Sequence, residues 1–400
     1  MTDAVLTLNA GSSSLKFALY ERQNKDDLVL SLHGQIEGVG TEPHLIARDP
    51  AGAVLAEHRW DDGSARTHET LLTWLLDWIR DHLGGDKLVA AGHRVVHGGP
   101  IYDAPVRITP AVIETLEKLV PLAPLHEPHH IAAIRAVASV RPDLPQVACF
   151  DTAFHHGNPP VVSRLALPAT LRQEGVRRYG FHGLSYEYIA RRLREVAPKL
   201  AAGRVIVAHL GAGASLCALR DGRSFDSTMG FTALDGLIMG TRCGALDPGV
   251  VLYLMQYHGM ESAQIESLLY HESGLLGLGG SSDMRTLLAS TETEAIEAVE
   301  SFTFSIARWT GALASTIGGI DGFVFTAGIG ENSAPVRSHV AKRLAWLGVL
   351  LDETANQTGS GRISAPGSAV DVWVIPTDEE AMIARHVLEV LVPATAESRA

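Results

Sequence analysis

The residues of this 400-residue sequence that could do chemistry are three glycine-containing stretches, each directly after an apolar strand-like run, and two arginines set beside glycines. The stretches are Asn9-Ala10-Gly11-Ser12-Ser13-Ser14-Leu15-Lys16, Gly211-Ala212-Gly213-Ala214-Ser215 and Ala327-Gly328-Ile329-Gly330-Glu331-Asn332. Glycine lets backbone N–H groups approach phosphate oxygens with no Cβ in the way, so such turns suit a polyanion. Singly, each also reads as a tight turn and nothing more; three in one chain favour the polyanion. None ends in the Gly-Lys-Ser/Thr of a P-loop, and no GxGxxG opens a helix, which argues against P-loop and Rossmann sites. The arginines are Arg94, within Gly92-His93-Arg94-Val95-Val96-His97-Gly98-Gly99, and Arg242, within Thr241-Arg242-Cys243-Gly244. The planar fork of a guanidinium pairs with two oxygens of a carboxylate or a phosphate at once, which a lysine cannot do.

The elements that must position these residues follow from periodicity. Alternating Val5-Leu6-Thr7-Leu8 predicts a strand before the first turn, and Val205 to Leu210 one before the second. Leu8 to Leu15 resembles Leu210 to Leu216 with one residue fewer in the turn, which points to two copies of one α/β unit and a ligand between their facing turns, although short Gly/Ser/Ala turns also recur by chance. Thr70 to His82 reads as a helix, Leu88 to Ala91 as a buried strand, and Gly92 to Gly99 as the loop that follows it. Gln146 to Phe150 is a strand ending at Asp151, and Gly322 to Thr326 a buried strand that delivers the third turn ahead of a helix. Val372 to Pro376 is the last strand; Thr377 and Asp378 suit the cap of a final helix through Leu391, with Glu379 and Glu380 in its first turn. Thr358 to Gly367, rich in Gly and Ser, reads as a surface loop.

Length favours two domains. A formal charge of -12 and a pI near 5.8 argue against nucleic acid or an anionic membrane as partner, so an anionic ligand must meet individual cations. Met1 leads into the first strand without the basic start and apolar core of a signal peptide, and no apolar run reaches membrane-spanning length; a cytoplasmic location is the expectation. Cys149, Cys217 and Cys243 show no CxxC spacing and read as packing residues. His126, His129, His130, His155 and His156 invite a metal site, but Pro128 spoils helical spacing and no cysteine or acid completes a tetrahedron. His126 is kept as a hydrogen-bond donor, and the other four read as polar surface or packing residues.

Asn9 to Lys16, Gly92 to Gly99, Arg177 to Leu184, His209 to Ser215, Met239 to Asp247, Ser281 to Arg285, Thr326 to Asn332 and Ile375 to Glu380 occur in the order shown by acetate kinases, and the chain resembles that family from first strand to last helix. The resemblance implies an α/β fold of two related actin-like ATPase (ribonuclease H-like) domains with a nucleotide cleft between them, hinged near Asp151. The expected domains are 1–150 with the returning helix 380–400, and 151–379. It further implies a homodimer that moves the γ-phosphoryl group of ATP to acetate, giving acetyl phosphate and ADP, with Mg2+ or Mn2+.

Carried over by position, Asn9 and Glu379 would organise the metal, while Ser12, Ser14 and Lys16 would serve the phosphates. Arg94 would hold the acyl carboxylate, Asp151 would be the catalytic carboxylate, and His182 with Arg242 would steady the transferring group, with His126 as a further donor. His209, Leu210, Gly211, Ala212 and Gly213, then Asp283, Met284 and Arg285, then Gly328, Ile329, Gly330, Glu331 and Asn332 would contact the nucleotide. Val96, Leu125 and Phe181 would wall the acyl pocket. Read blandly, Asp283 to Arg285 is a capped helix start, Glu331 begins a helix, and Glu379 favours a helix N-terminus whatever its function.

These assignments fit phosphoryl transfer, which needs alignment and charge neutralisation more than covalent help. A carboxylate acceptor is already ionised at neutral pH, so Asp151 is expected to position more than to abstract a proton. The sequence departs from the family pattern at Ala212 for Asn, Ala233 for Pro, Asp235 for Glu, Cys243 for Ser, Asp378 for Asn and Glu127 for Asn. Ala233 matters for the acyl pocket: a smaller wall leaves room for another methylene, so propionate is the alternative acceptor. Two other readings are a sugar-type hydroxyl kinase, for which Asp151 would be the base and against which Arg94 speaks, and a nucleotide-switched binding protein.

Overall fold

The computed structural model describes residues 3–11, 13–24, 27–60, 66–83 and 87–391. Ser12 lies outside them. Two compact units divide the chain: one runs to Ala153 and resumes at Asp378, the other is Phe154–Thr377. Asp151 and Glu379 therefore belong to the first unit, whereas the boundaries read from the sequence put both in the second.

The first unit is built on an eight-stranded sheet. Its strands are β1 (Asp3–Ala10), β2 (Ser14–Asn24), β3 (Asp27–Glu37), β4 (His44–Arg48), β5 (Val54–Arg59), β6 (Lys87–Val95), β7 (Val106–Arg107) and β8 (Gln146–Phe150), in the order β5-β4-β3-β2-β1-β6-β8-β7. The second unit has β9 (Arg204–Leu210), β10 (Ala214–Arg220), β11 (Arg223–Ser227), β12 (Gly322–Thr326), β13 (Gly361–Arg362) and β14 (Asp371–Val374), in the order β11-β10-β9-β12-β14-β13. Each unit contains the same five-strand core. In the first, β3, β2 and β1 run antiparallel in sequence and β1, β6 and β8 parallel; in the second, β11, β10 and β9 are antiparallel and β9, β12 and β14 parallel. The likeness of the two openings is thus a likeness of whole sheets.

Burial explains the central strands. Ala4 to Leu8 of β1 and Val205 to Leu210 of β9 are buried on both faces, as the middle of a covered sheet demands. In the helix His68–His82, Leu71, Leu72, Leu75, Leu76 and Ile79 recur at helical spacing and are buried against the first sheet, and Thr67 caps it through the N–H of Thr70. The final helix, Glu379–Leu391, starts as its sequence predicts: Asp378 Oδ1 accepts the N–H of Ala381 at 2.8 Å and the hydroxyl of Tyr20 at 3.1 Å. Among the described residues no helix is long and apolar enough to cross a membrane.

Three sequence readings change. Within Thr358 to Gly367, read as a surface loop, Gly361–Arg362 form strand β13 and Ile363 is buried. Gly92 does not end its strand: β6 continues through Val95, so His93 and Arg94 lie on the sheet rather than on a loop. A Cβ at Gly92 would meet Ile383 Cγ2 at 2.5 Å and Val387 Cγ2 at 2.6 Å, so this glycine serves close packing of the final helix on the strand. The third glycine stretch is itself a short helix, Ala327–Asn332, followed by a second, Ala334–Arg343, and not an open turn.

Candidate active site

In the first unit, parallel pairing sets Arg94 of β6 beside Cys149 of β8, two residues short of Asp151. Arg94 Nε lies 3.2 and 3.1 Å from the two carboxylate oxygens of Asp151, and Nη2 lies 2.6 Å from Oδ2. The same guanidinium donates from Nη1 to Asn9 Oδ1 at 3.5 Å and has Glu379 Oε2 at 3.8 Å from Nε. Three oxygen side chains, from the end of β1, the end of β8 and the start of the final helix, thus surround one arginine. Lys16 is exposed and sits opposite Asn9 in the β1–β2 register. Burial works against the charge on Arg94, but Asp151, Glu379 and Glu380 together hold its pKa above the ordinary value. Burial likewise pushes Asp151 upward, against the pull of Arg94 and with help from Glu379.

Around this charged knot lies a set of neutral histidines. His93 bonds Gln146 Oε1 at 2.7 Å, His97 Nδ1 accepts from the N–H of Gly99 at 2.8 Å, and His130 Nδ1 accepts from the N–H of Val96 at 3.3 Å. Burial drives His93 and His97 down to about 4 and His130 to about 3. Val96 is buried, and Leu125 and His126 are half-buried just before the helix Glu127–Val140.

The second unit holds His182, His209 and Arg242. His182 caps the helix Gly183–Val196 in a left-handed conformation, φ 57°, which costs energy for a non-glycine residue and persists where the surroundings hold it. Its Nδ1 is 2.9 Å from Ser215 Oγ, which Tyr186 also bonds, and its ring stacks on His209 with centroids 4.2 Å apart. A Cβ at Gly213 would lie 3.3 Å from His182 Nε2 and 3.8 Å from Arg242 Nη1, so the β9–β10 turn, His182 and Arg242 share one spot. Arg242 donates to the carbonyl of Ala233 at 2.9 Å, and its turn is tied to the glycine turn by Gly240 N–H to Ala212 C=O at 3.1 Å.

His209 Nδ1 bonds Ser185 Oγ, which bonds Thr377 Oγ1, both at 2.8 Å. Glu331 is a brace: its Oε1 accepts the N–H of Ala327 at 2.8 Å and of Thr377 at 3.1 Å, and Asn332 Nδ2 donates to Gly328 C=O at 2.9 Å. Asp283 caps its helix through the N–H of Arg285 and pairs with the exposed Arg285 guanidinium, while Met284 is buried. Phe181 is buried and gives its carbonyl to His155 Nε2 at 2.9 Å.

The structure therefore gathers Asn9, Arg94, Asp151 and Glu379 in the first unit, and His182, His209, Gly213 and Arg242 in the second. Sequence reasoning passed over Ser215, Ser185 and Tyr186, which orient the two histidines, and Arg337, which is buried and donates to the carbonyls of Gly330 and Glu331. Of these only Ser215 gave a signal, as the end of the block from His209 to Ser215.

Residues 4–385 match the acetokinase family. The chain belongs to that family. Over 394 residues it is 54% identical to an acetate kinase of Rhodopseudomonas palustris, covering 97% of this chain and 98% of that protein. A propionate kinase from Francisella tularensis superposes with a TM-score of 0.90 at 35% identity, covering 96% of this chain and 98% of that one. The acetate kinase of Porphyromonas gingivalis gives 0.85 at 36%, covering 97% and 100%. The actin-like two-unit α/β fold expected from the sequence is the fold shared with these kinases.

Proposed function

We propose that this chain reversibly transfers the γ-phosphoryl group of ATP to the carboxylate of a short fatty acid, acetate first. A carboxylate oxygen attacks the γ-phosphorus and the bond to the bridging oxygen breaks, giving acetyl phosphate and ADP. The observation that carries this reading is the Arg94–Asp151 pair. Asp151 has both oxygens engaged by a guanidinium at 2.6–3.2 Å, which suits a positioning group and makes it a poor base for a hydroxyl acceptor. Arg94 offers the fixed cation that an already ionised acceptor needs.

In this reading Arg94 orients the acid, while His182 and Arg242 meet the charge on the equatorial oxygens of the transferring group. The β9–β10 turn and the helix Ala327–Asn332 hold the nucleotide, and Val96, Leu125, Phe181 and Ala233 border the acyl chain. Asn9, Asp151 and Glu379 supply only oxygen atoms, the donor type a hard divalent cation takes, so Mg2+, with Mn2+ as substitute, would be organised by Asn9 and Glu379. When bound it would offset charge on the β- and γ-phosphates.

Because ATP is consumed, the chain belongs where ATP is supplied, and we place it in the cytoplasm, feeding acetyl-CoA formation. A homodimer accounts for the helix Pro248–Gln256, which is largely apolar yet has no buried residue, and for Tyr257 and Trp346, 75% and 71% exposed. The test follows ADP formation with acetate, propionate and butyrate in turn and traps the product with hydroxylamine. ATP turnover without an acyl hydroxamate would overturn the proposal.

A further inference from the structure

Glu127 opens the helix Glu127–Val140, a place where an acidic side chain normally points to water and gains from the helix dipole. Here it is 0% exposed. Neither carboxylate oxygen takes a hydrogen bond from a side chain; the backbone N–H of His97 acts on the carboxylate, and Oε2 lies 3.7 Å from Nδ1 of His130. That nitrogen accepts the N–H of Val96, so it carries no proton to donate to Glu127. A carboxylate there would be a buried negative charge with no cation beside it among the described residues to offset it, whereas a carboxylic acid carries no charge into the dry site.

The titratable groups around Glu127 agree. From its own helix comes neutral His130, and from the turn after β6 come neutral His97 and that residue's backbone N–H. From the end of β8 comes Asp151, whose negative charge opposes ionisation of Glu127. Burial above all, then Asp151, push Glu127 up to about 8, with the N–H of His97 pulling the other way.

We propose that Glu127 is a positioning residue for the acid substrate, fixing as a neutral carboxylic acid, together with His130, the Val96–His97 backbone against the Leu125–His126 segment. This rests on the acyl-kinase reading, which gives Val96, Leu125 and His126 their place at the acceptor. Ionising Glu127 puts an uncompensated charge under that wall, so acid binding weakens while ATP binding does not.

The test is the pH dependence of KM and kcat, followed by ADP release. The KM for acetate of the wild-type protein is expected to rise about tenfold between about pH 7 and 9, with the KM for ATP unchanged. Glu127→Gln keeps the neutral form and is expected to hold the low KM throughout; Glu127→Asn is the second neutral variant if Gln fails to fold. An equal alkaline rise in a neutral variant, or a flat wild-type profile, would overturn the role.

Urea unfolding gives a readout independent of turnover. The folded protein holds a proton on Glu127 that the unfolded chain has released between its ordinary value of 4.5 and about 8, so wild-type stability falls as pH rises through that window, relative to Glu127→Gln, and is parallel outside it. Parallel curves throughout would also overturn the proposal. Absence of ADP formation with any short acid would overturn the kinase reading and this role with it, while the unfolding curves would still report whether Glu127 is held neutral.

Discussion

The two candidate arginines, one in each unit, are held in opposite ways. Arg94 is half-buried and held by the carboxylates of Asp151 and Glu379, at 2.6 and 3.8 Å. Arg242 is half-buried, donates to the backbone carbonyl of Ala233, and sits with His182 at the edge of a glycine turn. The first arrangement fixes a cation in a knot of carboxylates; the second holds one on a backbone carbonyl beside a glycine turn. One fold repeated twice thus carries a carboxylate-held arginine in one unit and a carbonyl-held arginine in the other, and the proposed function has the first position the acid and the second stabilise charge.

The contrast is sharpest when each arginine is removed. Arg242→Ala is expected to lower kcat by about 10^3 or more, as loss of a transferred-charge arginine does, with little change in melting temperature. A near-normal kcat would break the assignment. Arg94→Ala should also lower activity, but its mark is on stability: Asp151 is 1% exposed, and orphaning a buried carboxylate costs about 3–5 kcal/mol. Adding Asp151→Asn should recover much of that loss in urea unfolding without restoring activity. If Arg94→Ala melts like the parent, the knot is not what holds the arginine.

A smaller effect tests how His182 is aimed. Ser215→Ala removes the partner of Nδ1, a bond worth about 1 kcal/mol, so kcat should fall about fivefold to tenfold with the KM for acid little moved. A rise in KM at constant kcat would move His182 from the transferring group to the acceptor.

How far the sequence could show this depended on whether the partners were local. The helix His68–His82 and the Asp378 cap were legible, since apolar spacing and capping are read within a few residues. The β6 extension was not, because the residues that demand glycine at position 92 are Ile383 and Val387, far along the chain. The site followed the same rule. Its residue types and order are legible through the family pattern, but the burial of Glu127 is not, since a Glu-Pro helix start gives no sign of it. Nor could His155 be paired in advance with Ser224, at 2.7 Å and 69 residues away.

The least effect is expected at Ala233, and it separates the two roles of that residue. Its carbonyl holds Arg242, which any residue type would do, whereas its side chain is small where the family pattern has proline. Room for one more methylene is worth about 1 kcal/mol, so kcat/KM for acetate and propionate should differ by roughly tenfold or less. Ala233→Pro keeps the carbonyl and fills the space, and should raise the acetate-to-propionate ratio a few-fold while leaving kcat for acetate close to that of the parent. A fall in kcat for both acids alike would mean that the backbone bond to Arg242, and not the width of the pocket, is what position 233 controls.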